Sequence, residues 1–196
     1  MPVQLIYGGK TDACHPRFNF PPDWDVTHTE SHWSTSATMV RYVEKLIVPW
    51  VKAKREALGL DEEQKALAIF DAYTAHRCNT EMHRVLEENN IVYIYVPASC
   101  TSQLQPLDSD GGVNAAFKRE LKGKFIKWYA ERITSGLAAG LELDDIKVDL
   151  SLTNLKPKYA NWVLGCFDAV KNQDSTMLTG WMKTGILDAF GASESR

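Results

Sequence analysis

Asp71 and Asp108 each end a segment that can set a carboxylate at a functional edge. Residues 66–70, ALAIF, are apolar throughout and run into Asp71. A second apolar run, IVYIYV (Ile91–Val96), leads through SQLQPLD to Asp108. Continuous apolar runs of this length read as strands buried on both faces, as in a parallel sheet. In such sheets ligands sit beyond the carboxyl ends of the strands. Asp71 falls at that edge, and the loop carrying Asp108 can return to it. Two carboxylates meeting there supply hard oxygen donors for a divalent cation. Phosphodiester cleavage by a two-metal mechanism needs clustered carboxylates holding ions about 3.5–4 Å apart, so two aspartates are one short of the usual set. On spacing alone, an Asp at a strand end is more often a loop or cap residue than a metal ligand.

Three other groups of residues can carry chemistry. Between residues 113 and 133, Lys118, Arg119, Lys122, Lys124, Lys127 and Arg132 are opposed only by Glu120 and Glu131, with Trp128 and Tyr129 interleaved. Such a face can track a phosphate backbone; without a partner it is a solvated lysine face, the commoner case. Cys14, His15, His28 and His32 are zinc-type ligands, although their spacing fits no common finger. Cys78 follows His76 closely, but with no third partner it reads as a buried structural thiol rather than a nucleophile.

The elements that must position these residues can be read from periodicity and punctuation. Val3–Gly9 is a short strand ending at a glycine turn. Residues 10–33 are irregular, with Pro16, Pro21 and Pro22 ruling out a long helix. Ser34, Thr35 and Ser36 offer N-caps for a helix to about Leu58, which Pro49 should kink or split. After the strand at 66–71, a helix capped by Asn79 or Thr80 ends near Asn89–Asn90 and returns the chain to the strand at 91–96. A polar loop at 97–111 precedes a helix from about Val113 to Ile133, whose stripe is Val113, Phe117, Leu121, Phe125 and Trp128. Pro157 is expected in the first turn of a helix reaching Lys171. Asp174–Ser175 caps a last helix carrying Met177, Leu178, Trp181 and Met182. The expected organisation is a domain at residues 1–134, a linker at 135–156, further helices at 157–190 and a tail at 191–196.

At 196 residues with 44% hydrophobic and 24% charged residues, the chain is an ordinary globular composition. Its net charge of −3 means that nucleic-acid binding must come from a local patch rather than from the whole-molecule field. The four cysteines lie far apart without a CxxC pair, which suits reduced thiols. No apolar stretch reaches the length of a membrane span, so no membrane partner is expected.

QLIYGGKTDACHP, THTESHW, KLIVPWVKAKREALGL, ALAIFDAYTAH, NNIVYIYVPASCTSQLQPLD and FIKWYA occur in this order. Together they resemble the DDE-type superfamily endonuclease domain of the pogo, Tigger, jerky and centromere protein B branch of transposases. KPKYANWVLGCFDAV and GWMKTGI resemble that family's C-terminal helices, and the resemblance covers about residues 3–187. IFDxxxAH and LQPLD are specific in combination. The resemblance implies an α/β fold, RNase H-like, with a mixed sheet flanked by helices and a C-terminal helical extension. It implies three acidic side chains that bind Mg2+ or Mn2+, DNA as partner, and a nuclear location. Under it Asp71 is the second acid and Asp108 the third, both as catalytic residues and metal ligands. Asp110, in the SDGG that separates LQPLD from the next helix, is an alternate ligand. Lys118, Arg119, Lys122 and Lys127 form the nucleic-acid face.

In the family the first acid lies upstream of the segment resembling VQLIYGGK. The chain is therefore expected to be N-terminally truncated, without the first two strands or the helix-turn-helix, and weak or inactive alone. Asp12 and Asp25 are spare carboxylates. With the neighbouring strand missing, Val3–Tyr7 is expected to slide in beside ALAIF, or another copy to pair there as a homo-oligomer. The alternative function is a domesticated, non-catalytic DNA-binding or protein-interaction domain.

Overall fold

The computed structural model describes residues 1–189 and 191; the expected tail lies outside the described residues apart from Gly191. The chain divides into two compact units, Met1–His15 with Asn19–Thr101 and Pro16–Phe18 with Ser102–Arg196.

In the first unit, four strands form two separate two-stranded sheets, both parallel. Strand β1 (Gln4–Gly8) pairs with β2 (Asp25–Thr29) in the register Gln4↔Asp25 to Gly8↔Thr29. Strand β3 (Ala66–Asp71) pairs with β4 (Ile91–Val96) in the register Ala66↔Ile91 to Asp71↔Val96. The expectation that Val3–Tyr7 slides in beside ALAIF is thus corrected. Within the stretch read as irregular, Asp25–Thr29 supplies β1 with a partner of its own.

Helix α1 (Ser36–Tyr42) starts at Thr35, whose side chain accepts from the Thr38 N–H. It passes through a π-helical turn, Val43–Ile47, into α2 (Val48–Ala57). Pro49 explains the turn. Lacking an N–H, it cannot bond to the carbonyl four residues back, and its ring crowds that carbonyl. The ladder widens there, with the Val48 N–H donating to the Val43 carbonyl five residues back.

Helices α3 (Thr74–Arg77) and α4 (Thr80–Glu88) connect β3 to β4. Met39, Val43, Ile47, Val48 and Val51 pack with Phe70, Met82, Val85, Leu86 and Ile91 into the core, and Ala66, Ala68, Tyr93 and Tyr95 lean on it. Every second strand residue therefore faces the helices, while Leu67, Val92 and Ile94 are exposed. The apolar runs that suggested two-sided burial are covered here on one face, because the helices of this unit lie on that face alone.

Buried Arg55 ties α2 to the α4–β4 junction. Its Nε donates to the Gln64 carbonyl at 2.8 Å and its Nη2 to the carbonyls of Asn89 and Asn90, each at 3.1 Å.

The second unit is helical. A one-turn helix, α5 (Thr101–Leu104), precedes the Asp108 loop. Helices α6 (Val113–Ala138), α7 (Leu152–Val170), α8 (Asp174–Lys183) and α9 (Ile186–Ala189) follow. Phe125 and Trp128 of α6 meet Trp162 of α7 at ring separations of 6.2 and 5.8 Å. Helix α6 outruns the expected Ile133 by one turn. Ile146, just past a 3-10 turn at Leu143–Asp145, seats against Gly136, where a Cβ would come within 2.8 Å of it. Helix α7 starts before Pro157, because Ser151 caps it by accepting from the Asn154 N–H. Pro157 lies just beyond the first turn, where its missing N–H costs a single helical bond.

Candidate metal-binding aspartates and basic helix

Asp71 is the last residue of β3, at its carboxyl end, and its side chain is 43% exposed. Its Oδ1 accepts weakly from the Tyr73 N–H at 3.4 Å and lies 2.5 Å from His76 Nδ1. The histidine contact is a close approach rather than a well-aligned hydrogen bond. His76 is held in turn. Its ring sits 5.8 Å from Phe70 and 5.6 Å from Tyr73. Its carbonyl accepts from the Tyr95 hydroxyl at 3.0 Å. Tyr95 Oη also lies 2.5 Å from His83 Nε2. Burial, followed by the charges of Tyr93 and Cys78, pushes the Tyr95 hydroxyl up to about 12, so it stays a neutral donor. Through Tyr95 and His83, β4 and α4 fix the short helix that presents His76 to Asp71.

Asp108 sits in the loop before α6, partly exposed, and its Oδ1 accepts from Asn114 Nδ2 at 2.7 Å. The Asn114 N–H donates to the Leu107 carbonyl at 3.0 Å, closing the loop on the first turn of α6. Buried Ser109 donates to the Pro106 carbonyl at 3.1 Å and accepts through its own carbonyl from the Gly112 N–H at 2.8 Å. Two glycines make room for this loop. A Cβ on Gly180 would come within 2.2 Å of the Pro106 oxygen, and one on Gly112 within 2.8 Å of it.

His76 and Asn114 were missed by sequence reasoning. Each follows its aspartate by about a turn and a half, at the start of a short or new helix, and that spacing was the available signal.

The remaining expected residues fall elsewhere. Asp110 is fully exposed, and its carboxylate is engaged by Lys183 Nζ at 3.5 Å. Asp25 is buried in an ion pair with Arg41, and Gln4 Nε2 donates to its Oδ2 at 2.9 Å, so it is no spare ligand. Cys78, expected to be buried, is exposed beyond the end of α3; the buried thiol is Cys166. Cys14, His15 and His28 converge, but His32 is not part of their group, and its ring lies tilted 5.7 Å from that of Trp33.

On α6, Lys118, Arg119, Lys122 and Lys127 are exposed, and among the described residues none of them is in an ion pair. Trp128 does not join them. It is 8% exposed and belongs to the α6–α7 contact, with Lys158 Nζ 5.8 Å and the Arg132 guanidinium 6.0 Å from its ring centre. Tyr129 and Ile126 are the exposed apolar neighbours of the basic face.

Carboxylate oxygens suit a hard divalent cation. Asp71 and Asp108 fit that chemistry: each is partly exposed, each has an imidazole or amide nitrogen beside one oxygen, and neither is held by Lys or Arg among the described residues.

Comparisons with known proteins agree with the resemblance. The Jerky protein of Mus musculus is 31% identical over 87 residues, covering 44% of this chain and 14% of that protein. A protein of Cochliobolus lunatus named MFS-type transporter clz9 is 28% identical over 106 residues, covering 53% of this chain and 11% of that protein. The chain thus spans a small part of these relatives' length. Among the described residues no helix is long and apolar enough to cross a membrane. No solved structure matches the chain. The profile of the DDE superfamily endonuclease family matches residues 2–188, nearly the whole sequence, and the chain belongs to that family.

Proposed function

We propose that the chain is the RNase H-like endonuclease region of a transposase-derived nuclear protein that acts on DNA. Residues 1–134 and 157–190 would contribute to one domain, joined through 135–156. The observation that carries this reading is Asp71 at the carboxyl end of a parallel strand, in a chain whose family membership extends from residue 2 to residue 188. Asp71 and Asp108 would hold Mg2+ or Mn2+, with Asp110 a poorer donor because Lys183 already engages it. When bound, such an ion supplies charge neutralisation at the phosphate and a more acidic attacking water or hydroxyl. His76 and Asn114 would keep the two carboxylates in one orientation before the ion arrives, which lowers the cost of binding it.

With two of the three acids assigned, the 196-residue chain by itself is expected to nick DNA weakly or not at all. The test is conversion of supercoiled plasmid to open circle in Mn2+ and in Mg2+, with Asp71→Ala alongside. Robust cleavage abolished by Asp71→Ala would retain the metal site and refute the inactivity.

The exposed cations of α6, which are in no ion pair among the described residues, favour a second reading, a domesticated domain that binds DNA without cutting it. It predicts metal-independent, salt-sensitive binding through Lys118, Arg119, Lys122 and Lys127.

A further inference from the structure

Cys14, His15 and His28 bring one sulfur and two imidazole nitrogens within 4.8 Å of one another. The fold makes this meeting specific. The 3-10 turn Asp12–Cys14 closes through the His15 N–H donating to the Asp12 carbonyl at 2.9 Å, which sets Asp12, Cys14 and His15 around one turn. That turn folds back on the end of β1, where Gly9 leaves space for the cysteine. A Cβ on Gly9 would stand 2.4 Å from Cys14 Cβ and 2.8 Å from its Sγ. His28 arrives from β2, registered against Tyr7, and the Tyr7 ring lies 5.6 Å from that of His15. Sequence-distant ligands are thus delivered by a turn and a strand that the parallel β1–β2 pair holds together.

The distances fit one class of ion. Two nitrogens bound at about 2.0–2.1 Å to a tetrahedral ion stand about 3.3–3.4 Å apart. His15 Nε2 and His28 Nδ1 stand 3.3 Å apart. A thiolate sulfur bonded at about 2.3 Å would stand about 3.6 Å from each nitrogen, and Cys14 Sγ lies within 4.8 Å of a ring nitrogen of each histidine. Asp12 Oδ1 lies 3.4 Å from His28 Nδ1 and 3.8 Å from His15 Nδ1; its exposed side chain stands outside the three-residue group and would have to turn to become a donor. One thiolate with two imidazoles is a borderline-soft donor set, unlike the carboxylates at Asp71 and Asp108.

We propose that Cys14, His15 and His28, with Asp12 as the fourth donor, form a structural zinc(II) site that staples the 3-10 turn at Asp12–Cys14 to strand β2. Without an ion the two imidazoles share a hydrogen bond, one donating and the other accepting. With one, the thiolate joins them, and the proton of the Cys14 thiol is released to solvent. His32, which sequence reasoning grouped with these residues, takes no part.

The test uses the full chain, stripped of metal and kept reduced. Zinc titrated against a chromophoric chelator should bind at one ion per chain. Cobalt(II) should give the near-ultraviolet sulfur-to-cobalt band together with the visible bands of a four-coordinate ion. Cys14→Ser should lose the near-ultraviolet band, His28→Ala should lose tight binding, and Asp12→Asn should weaken it by roughly tenfold. His32→Ala should change nothing. Wild-type chain gives a readout independent of how the variants fold: saturating zinc should slow alkylation of Cys14, read by peptide mass, while exposed Cys78 reacts at its metal-free rate. Absence of stoichiometric zinc binding, a sulfur-to-cobalt band that survives Cys14→Ser, or alkylation of Cys14 unchanged by zinc would each overturn the proposal.

Discussion

Single side chains decide more here than their sequence neighbourhood suggested. Asp71 and Asp108 stand out in the sequence because each ends a motif, but the side chains that contact them do not. His76 and Asn114 make contacts that exist only once a helix starts within a few residues of each aspartate, α3 after Asp71 and α6 after Asp108. Asp25 looked like a spare carboxylate for the same reason: nothing near it in sequence announces Arg41 or Gln4. Burial alone would push the Asp25 carboxyl up. The hydrogen bonds from Arg41 and Gln4, with the charges of Arg41 and Lys45, outweigh that and hold it below the usual carboxylate range. The folded chain therefore binds fewer protons than the unfolded chain in acid, and stability rises with pH. The contribution is fully present above the unfolded value of about 3.9 and is lost as pH falls through the lower folded value. Urea unfolding midpoints measured from neutral pH downward should fall more steeply below about pH 4 for wild type than for Asp25→Asn. Parallel curves would show that Asp25 carries none of the acid sensitivity.

Elements were most legible where punctuation was strong. Asn79 capped α4 as expected, the Pro49 break appeared as a π turn, and both apolar runs became strands. Elements whose signal is tertiary were not visible. Strand β2 is stabilised by pairing with β1, and α7 begins at Ser151 because a serine cap outweighs a proline just past the first turn. Asn79 also does what no local rule predicts. Its Oδ1 accepts from the Met82 N–H at 3.1 Å, while its Nδ2 donates to the carbonyls of Ser36 at 2.9 Å and Ala75 at 3.2 Å. It is buried, so its loss strands partners away from water. Asn79→Ala should cost about 2–3 kcal/mol in denaturant unfolding. Asn79→Asp, which keeps the cap and loses both donors, should fall between wild type and Asn79→Ala. An Asp variant as stable as wild type would show that only the cap matters.

At the scale of the whole molecule, a net charge of −3 gives no general attraction to nucleic acid. The proposed DNA binding would then need a local patch, and the candidate is the exposed part of α6 bearing Lys118, Arg119, Lys122 and Lys127. Reversing all four charges should abolish binding in a gel-shift or anisotropy titration. Single reversals should lower the salt slope by roughly 0.9 for each phosphate no longer neutralised. Unchanged binding would dismiss the α6 face and with it the non-catalytic reading.

The central proposal is that Asp71 and Asp108 are each ligands for Mg2+ or Mn2+. Its most direct measurement is Mn2+ binding to the full chain, followed by loss of the free-ion paramagnetic resonance signal, for wild type, Asp71→Asn, Asp108→Asn and the double variant. The proposal predicts that either substitution weakens Mn2+ binding and that the double variant binds weakest. Wild type that takes up no Mn2+, or uptake unchanged by Asp71→Asn and Asp108→Asn, would contradict it.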